Sequence, residues 1–186
     1  MLLGGARSGK SALAERWGHA HATDGGSVAV LATAEIIDDE MADRIEQHRS
    51  LRPATWVTIE EPLDLARGIK LAPPHALLII DCLTTWLGNL MFHGVAGDVD
   101  ERADAALAAI AARVGSTVVV SNEVGLGIVP ADPATREYRD VLGRLNQQFV
   151  DAADHAYLLI AGRALRLDPI HALPGTSGPP RRVTPP

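Results

Sequence analysis

"GGARSGKS", residues 4–11, stands almost at the start of the 186-residue chain. Gly4, Gly9, Lys10 and Ser11 fit the spacing G-x-x-x-x-G-K-[ST] of a phosphate-binding loop. The chemistry requires these residue types at these places. Glycines let the backbone turn its N–H groups inward without Cβ clashes. Those N–H groups and the N-terminus of the following helix then cradle phosphate oxygens. The run Gly4, Gly5, Ala6, Arg7, Ser8, Gly9, Lys10 and Ser11 is therefore a candidate triphosphate cradle. In such a loop the lysine reaches the β and γ phosphates and the serine hydroxyl binds Mg²⁺, which assigns Lys10 and Ser11. The pattern demands a strand before the loop and a helix after it. "KSALAERWGHAHA" is rich in helix formers, and Leu13, Trp17 and Ala20 are its expected inward stripe. Only Met1, Leu2 and Leu3 precede Gly4, so the expected first strand is weak. A glycine-rich turn without a ligand is the alternative.

Working outward, strand-like and helix-like runs alternate. "SVAVLAT" (27–33), "TWVTIE" (55–60), "HALLIID" (75–81), "STVVVSN" (116–122) and "HAYLLIAG" (155–162) are apolar, β-branched or both, as buried strands require. Helical patterns lie between them: "DDEMADRIEQHRS", "PLDLARGIKL" with proline at its expected first position, residues 83–91, residues 100–113, and the amphipathic "PATREYRDVLGRLNQQFVDAAD". The alternation predicts an α/β fold, a mostly parallel sheet with helices on both faces. Ligands of such sheets bind at the carboxyl ends of the strands, which is where the glycine-rich loop falls.

Composition narrows the class further. Hydrophobic residues are 47% and charged residues 22%, so the chain folds as a globule. Its length favours one domain, assigned to residues 1–168. The proline-rich ending "PGTSGPPRRVTPP" (174–186) lacks apolar periodicity and is expected to be a disordered tail. A net charge of −6 argues against broad binding to nucleic acid. Cys82 is the only cysteine, which excludes an intrachain disulfide and a cysteine zinc cluster. No signal segment or bilayer-length apolar run stands out, and a cytoplasmic enzyme is the expectation.

Three further groups bear on chemistry. Asp81 ends "ALLIID", where a carboxylate at the tip of a buried strand suits a metal ligand; capping the next helix is the alternative. Cys82 beside it reads as a small buried hydrophobe. His48 shares a helical face with Met41 and Ile45, the pattern of a packed core histidine, yet Arg44, Arg49 and Arg52 surround it. Cations that close keep imidazole neutral and nucleophilic and also attract phosphates, so attack on phosphorus is the alternative reading of His48. "SNEVGLGIVP" (121–130) leaves a strand end as a tight loop, and turn, ligand contact and subunit contact all remain open for it.

Together "GGARSGKS", "ATAEIIDDEMADRIEQHRSLRP", "TWVTIEEP", "IIDCLTTWLGNLMF", "SNEVGLGIVP" and "YRDVLGRLNQQFVDAAD" resemble the bifunctional adenosylcobinamide kinase / adenosylcobinamide-phosphate guanylyltransferase family of cobalamin biosynthesis. The likeness runs from Gly4 to about Gly162, and "RIEQHRSLRP" joined to "NEVGLGIVP" is far narrower than the phosphate loop. It implies phosphorylation of the aminopropanol hydroxyl of adenosylcobinamide with ATP or GTP. Transfer of GMP from GTP to that phosphate follows, through a guanylylated histidine, with release of pyrophosphate. His48 stands at the position of that histidine. The resemblance further implies nucleotide contacts at Ala32, Thr33, Ala34, Arg49, Ser50, Leu51, Arg52, Glu60 and Asp81, a RecA-like fold and a homotrimer. The lead-in "MLL" is shorter than the family's usual strand plus threonine, and "AGRALRL" follows the family ending only loosely. A small-molecule kinase without a covalent step and a non-catalytic nucleotide switch are the rival functions; an N-K-x-D motif of the switches is lacking.

Overall fold

The computed structural model describes residues 1–35, 49 and 52–169. His48, Ser50, Leu51, most of the helix expected around it, and the tail at 174–186 lie outside those residues. Among the described residues the strands are β1 (Leu2–Gly4), β2 (Val28–Ala32), β3 (Val57–Glu60), β4 (Leu77–Asp81), β5 (Thr117–Val120), β6 (Ala156–Ile160) and β7 (Arg163–Leu167). The helices are α1 (Lys10–Thr23), α2 (Leu65–Leu71), α3 (Leu83–Phe92), α4 (Val99–Ala111) and α5 (Pro133–Asp151).

The seven strands form one sheet in the order β3-β2-β4-β5-β1-β6-β7. All pairings are parallel except β6 with β7. A parallel strand covered on both faces reads as a continuous apolar run, and "LLIID" is buried through its first four residues. Helices do cover both faces. Among the described residues α1 packs one face, over Val28, Val30, Leu77, Ile79, Val118 and Val120. The other four helices contribute Leu65, Trp86, Ala103 and Leu142, among others, to the opposite core. In α3, Leu83, Trp86, Leu87 and Leu90 are fully buried at the helical i, i+3, i+4, i+7 spacing. Each such side chain contributes about 1.5–3 kcal/mol.

The short β1 is a genuine strand because it lies centrally. Leu2 is fully buried and pairs with Val120 of β5 on one side and Tyr157 of β6 on the other. Three local expectations are corrected. The inward stripe of α1 is Ala14 and Gly18 with Leu13 partly buried beside them, not Trp17 and Ala20; Trp17 is 38% exposed. Small residues let the helix sit close, and Trp56 fills the space beside Gly18, where a Cβ would lie 2.4 Å from the indole. Pro62 does not open α2; the helix begins at Leu65, because Asp64 caps it by accepting a bond from the Arg67 N–H at 2.9 Å. "HAYLLIAG" is not the last strand. The chain reverses at Ala161 and Gly162, both at positive φ, and returns as β7.

Candidate active site

The loop after β1 has the conformation its glycines permit. Gly9 is at φ 101° and caps the N-terminus of α1. Gly4 is at φ 149°, and a Cβ there would lie 2.3 Å from the Leu159 carbonyl oxygen. No other residue fits, so β1 and β6 approach there only because the side chain is missing. Gly162 N–H donates to the Ser8 carbonyl at 2.9 Å, so the β6–β7 turn braces the loop from outside.

Lys10 is 7% exposed and folds back over the loop. Its Nζ donates to the carbonyls of Gly4 and Gly5, both at 2.8 Å. Burial pushes this ammonium below its ordinary pKa, while the nearby charges of Cys82 and Asp81 oppose the shift. A cation held on exchangeable carbonyl bonds beside a carboxylate is poised to turn toward an incoming triphosphate.

Strand register sets the rest of the edge. Glu60 pairs with Ala32, Ala32 with Asp81, and Asp81 with Val120. Three sequence-predicted residues therefore stand in one row at the carboxyl edge, Glu60 and Asp81 two strand spacings apart, about 10 Å. Arg49 reaches this row, its guanidinium 3.6 Å from the Glu60 carboxylate. Arg52 N–H donates to the Arg49 carbonyl at 3.2 Å. The β1 loop lies two strands beyond Asp81, with β5 between.

Thr33 is fully buried, and its hydroxyl is committed to the protein. It donates to the Cys82 carbonyl at 2.8 Å and accepts from the Cys82 N–H at 2.9 Å, locking the ends of β2 and β4 together. The Asp81–Cys82 peptide is cis. Cys82 caps α3; it is partly buried against the α1-side core, and burial pushes its thiol pKa up. Asn89, which sequence reasoning missed, completes the lock. Its Nδ2 donates to the carbonyls of Thr33 at 2.7 Å and Pro62 at 3.1 Å. The signal was a polar residue on the apolar face of α3. Asn89→Ala strands two carbonyls and opens a small void; it should cost about 2–4 kcal/mol. Urea unfolding checks this, and a loss under 1 kcal/mol would show the lock to be dispensable.

Tyr138 ties α5 to the same corner by donating its hydroxyl to the Thr84 carbonyl at 2.9 Å. Burial, then the charge of Cys82, pushes its phenol up to about 12 from the ordinary 10.0. Between those values the folded protein keeps a proton that the unfolded chain has released. Stability is therefore whole below pH 10 and falls as pH rises toward 12. Tyr138→Phe should flatten that alkaline decline while costing about 1 kcal/mol at pH 8. Melting temperatures across pH 8–12 for both proteins decide it; parallel curves would rule out Tyr138 as the source.

A cavity of about 700 Å³ lies at the opposite, amino edge, lined by Met1, Arg113, Thr117 and Tyr157 among others. It is remote from the loop and carries none of the phosphate-binding groups, so concavity alone does not mark this site. Among the described residues no three His, Cys, Asp or Glu side chains cluster as a metal cage. None of their helices is long and apolar enough to cross a membrane.

A glycine loop at a helix N-terminus, a buried lysine on its carbonyls and a carboxylate at the strand tip two places along the same edge define a phosphate-loop enzyme acting on nucleotides. Residues 1–167 match the model of the cobinamide kinase / cobinamide phosphate guanyltransferase family. The chain belongs to that family. It is 41% identical over 168 residues to the bifunctional adenosylcobalamin biosynthesis protein CobP of Pseudomonas aeruginosa, covering 90% of this chain and 95% of that one. It is 38% identical to the corresponding CobU proteins of Salmonella typhimurium and Escherichia coli, covering 90% of this chain and 98% of each. The flagellar accessory protein FlaH from Methanocaldococcus jannaschii superposes with a TM-score of 0.48 at 14% identity, over 88% of this chain and 73% of that one. The chain is thus a bifunctional transferase of cobalamin biosynthesis, a kinase and a nucleotidyltransferase for cobinamide.

Proposed function

We propose that the substrate is adenosylcobinamide, phosphorylated with ATP or GTP on its aminopropanol hydroxyl, and that His48 then carries GMP from GTP to the new phosphate. The observation that supports the relay is the Arg49–Glu60 pair at the carboxyl edge. It ties the residue next to His48 in sequence to the row that includes Asp81. The β1 loop and the Glu60 end are four strand spacings apart, about 19 Å. Loop residues 4–11 hold the triphosphate in this reading. Ala32, Thr33, Ala34, Arg49, Ser50, Leu51, Arg52, Glu60 and Asp81 line its path, Thr33 through its backbone because its hydroxyl is already bonded to Cys82.

Ser11 in the first turn of α1 and Asp81 at the tip of β4 are the residues that would hold Mg²⁺. A small hard-oxygen set fits that ion, which takes one or two protein ligands and completes its shell with phosphates and water. When bound, it supplies charge neutralisation to the phosphates. Lys10 supplies a fixed cation for the phosphate oxygens, and loop N–H groups orient them. In guanylyl transfer the His48 nitrogen forms a bond to the α-phosphorus of GTP as the bond to pyrophosphate breaks. A phosphate oxygen of the cobinamide phosphate then displaces imidazole from that phosphorus. The protein draws on cytoplasmic nucleotides and works there as a homotrimer.

The relay is tested by incubating the protein with base-labelled GTP and Mg²⁺, then denaturing it. Label should stay on the protein, be lost in mild acid and survive alkali, as a phosphoramidate does. Absence of retained label under conditions of full turnover would leave a kinase and transferase without a covalent step.

A further inference from the structure

We propose that the exposed apolar lip at residues 124–129 is a docking surface for the corrin macrocycle in both reactions. Val124, Leu126, Ile128 and Val129 are 38%, 83%, 97% and 62% exposed. Among the described residues no other stretch of similar length leaves four large aliphatic side chains in water. Such a patch marks a binding surface more often than chance.

Both ends of the lip are pinned, so it is a platform and not a loose turn. At its start, Asn122 N–H donates to Thr84 Oγ1 at 2.7 Å, and Asn146 Nδ2 donates to the Asn122 carbonyl at 2.9 Å. Glu123 N–H donates at 3.1 Å to the Gly4 carbonyl, the same oxygen that accepts from Lys10. The Glu123 carboxylate accepts from the Gly125 N–H at 2.6 Å and shapes the turn. At its end, Arg136 donates to the carbonyls of Pro130 at 2.9 Å and Ala131 at 2.6 Å. The lip therefore begins at the phosphate loop itself.

Chemistry selects the occupant. The family substrate, cobinamide, presents its reactive hydroxyl, and later its phosphate, on an arm of a large macrocycle whose rim carries methyl groups between its amide arms. With that arm at the loop, the macrocycle must rest on a neighbouring surface. β5 is the strand between β1 and β4, and the lip that follows it is aliphatic and lacks aromatic rings. The methyl groups of the rim bury well on such a surface while the amide arms reach past it into water, whereas a nucleotide base would ask for a ring to stack on.

The inference rests on the cobinamide kinase activity of the chain, which wild-type turnover checks independently; a wild type inert toward cobinamide would remove both. The test is the Leu126→Ser, Ile128→Ser double variant, whose side chains contribute little to the core. Its KM for cobinamide should rise about ten- to a hundredfold. Its KM for GTP, its melting temperature and its sedimentation coefficient should stay at wild-type values. Leu126→Met, Ile128→Leu should restore the cobinamide KM. A cobinamide KM within twofold of wild type would overturn the proposal. So would a changed sedimentation coefficient, which would make the lip an interface between copies of the chain.

Discussion

Lys10→Ala should abolish nucleotide affinity in calorimetry with GTP and Mg²⁺ and lower both transferase activities by about a thousandfold. The expected size follows from what the lysine does in the fold. It is a buried cation whose ammonium is satisfied by the Gly4 and Gly5 carbonyls and balanced by Asp81. A triphosphate placed on the loop takes over those bonds with charged oxygens, which make stronger hydrogen bonds than carbonyls do. Alanine leaves the phosphates without a fixed positive charge where charge develops in both transfers. Folding should suffer less than catalysis, because Gly4 and Gly5 lose a donor but gain access to water. Lys10→Met separates the two effects further, since it fills the stem's volume without the charge. Unchanged GTP affinity in a folded Lys10→Ala protein would remove the loop from the site altogether.

The sheet and the residues at its carboxyl edge were legible in the sequence because parallel strands must be apolar throughout. "ALLIID" reads as a buried strand with an acid at its tip, and the register places Asp81 in a row with Ala32 and Glu60. What escaped depends on spatial neighbours. Three residues cannot announce a strand; β1 forms because β5 and β6 flank it. The face of α1 was misassigned because size, not hydrophobicity, decides the contact: Gly18 admits Trp56 and a bulkier residue would not. The partners of Asn89 and Asn146 were invisible because each bonds backbone groups far away in sequence, Thr33 and Asn122. No local period encodes such pairs. The β6–β7 reversal was missed since "AGRALRL" has an exposed, weakly apolar pattern, as an edge strand does.

His48→Ala should stop GMP transfer outright and leave the kinase activity within about tenfold of wild type. The asymmetry follows from the two chemistries. Transfer of the γ-phosphoryl needs the loop, Lys10 and an incoming hydroxyl, and nothing in it requires imidazole. Transfer of GMP by relay requires the ring nitrogen as nucleophile, and alanine offers none. A packed core histidine would behave otherwise, since its loss would lower stability and depress both activities in the same proportion. The measurement therefore pairs base-labelled GTP with two assays, one for cobinamide phosphate and one for its GDP product, and takes circular dichroism as the folding control. Arg49→Ala gives the complementary result. Arg49 is tied to the row only through an exposed pair with Glu60, at 62% and 60% side-chain exposure, and such a pair adds little to stability. Its loss should leave folding alone and slow labelling by about tenfold, with a smaller loss of kinase activity. Acid-labile labelling of folded His48→Ala at the wild-type level would move the nucleophile to another histidine. Loss of both activities together with the fold would return His48 to the core.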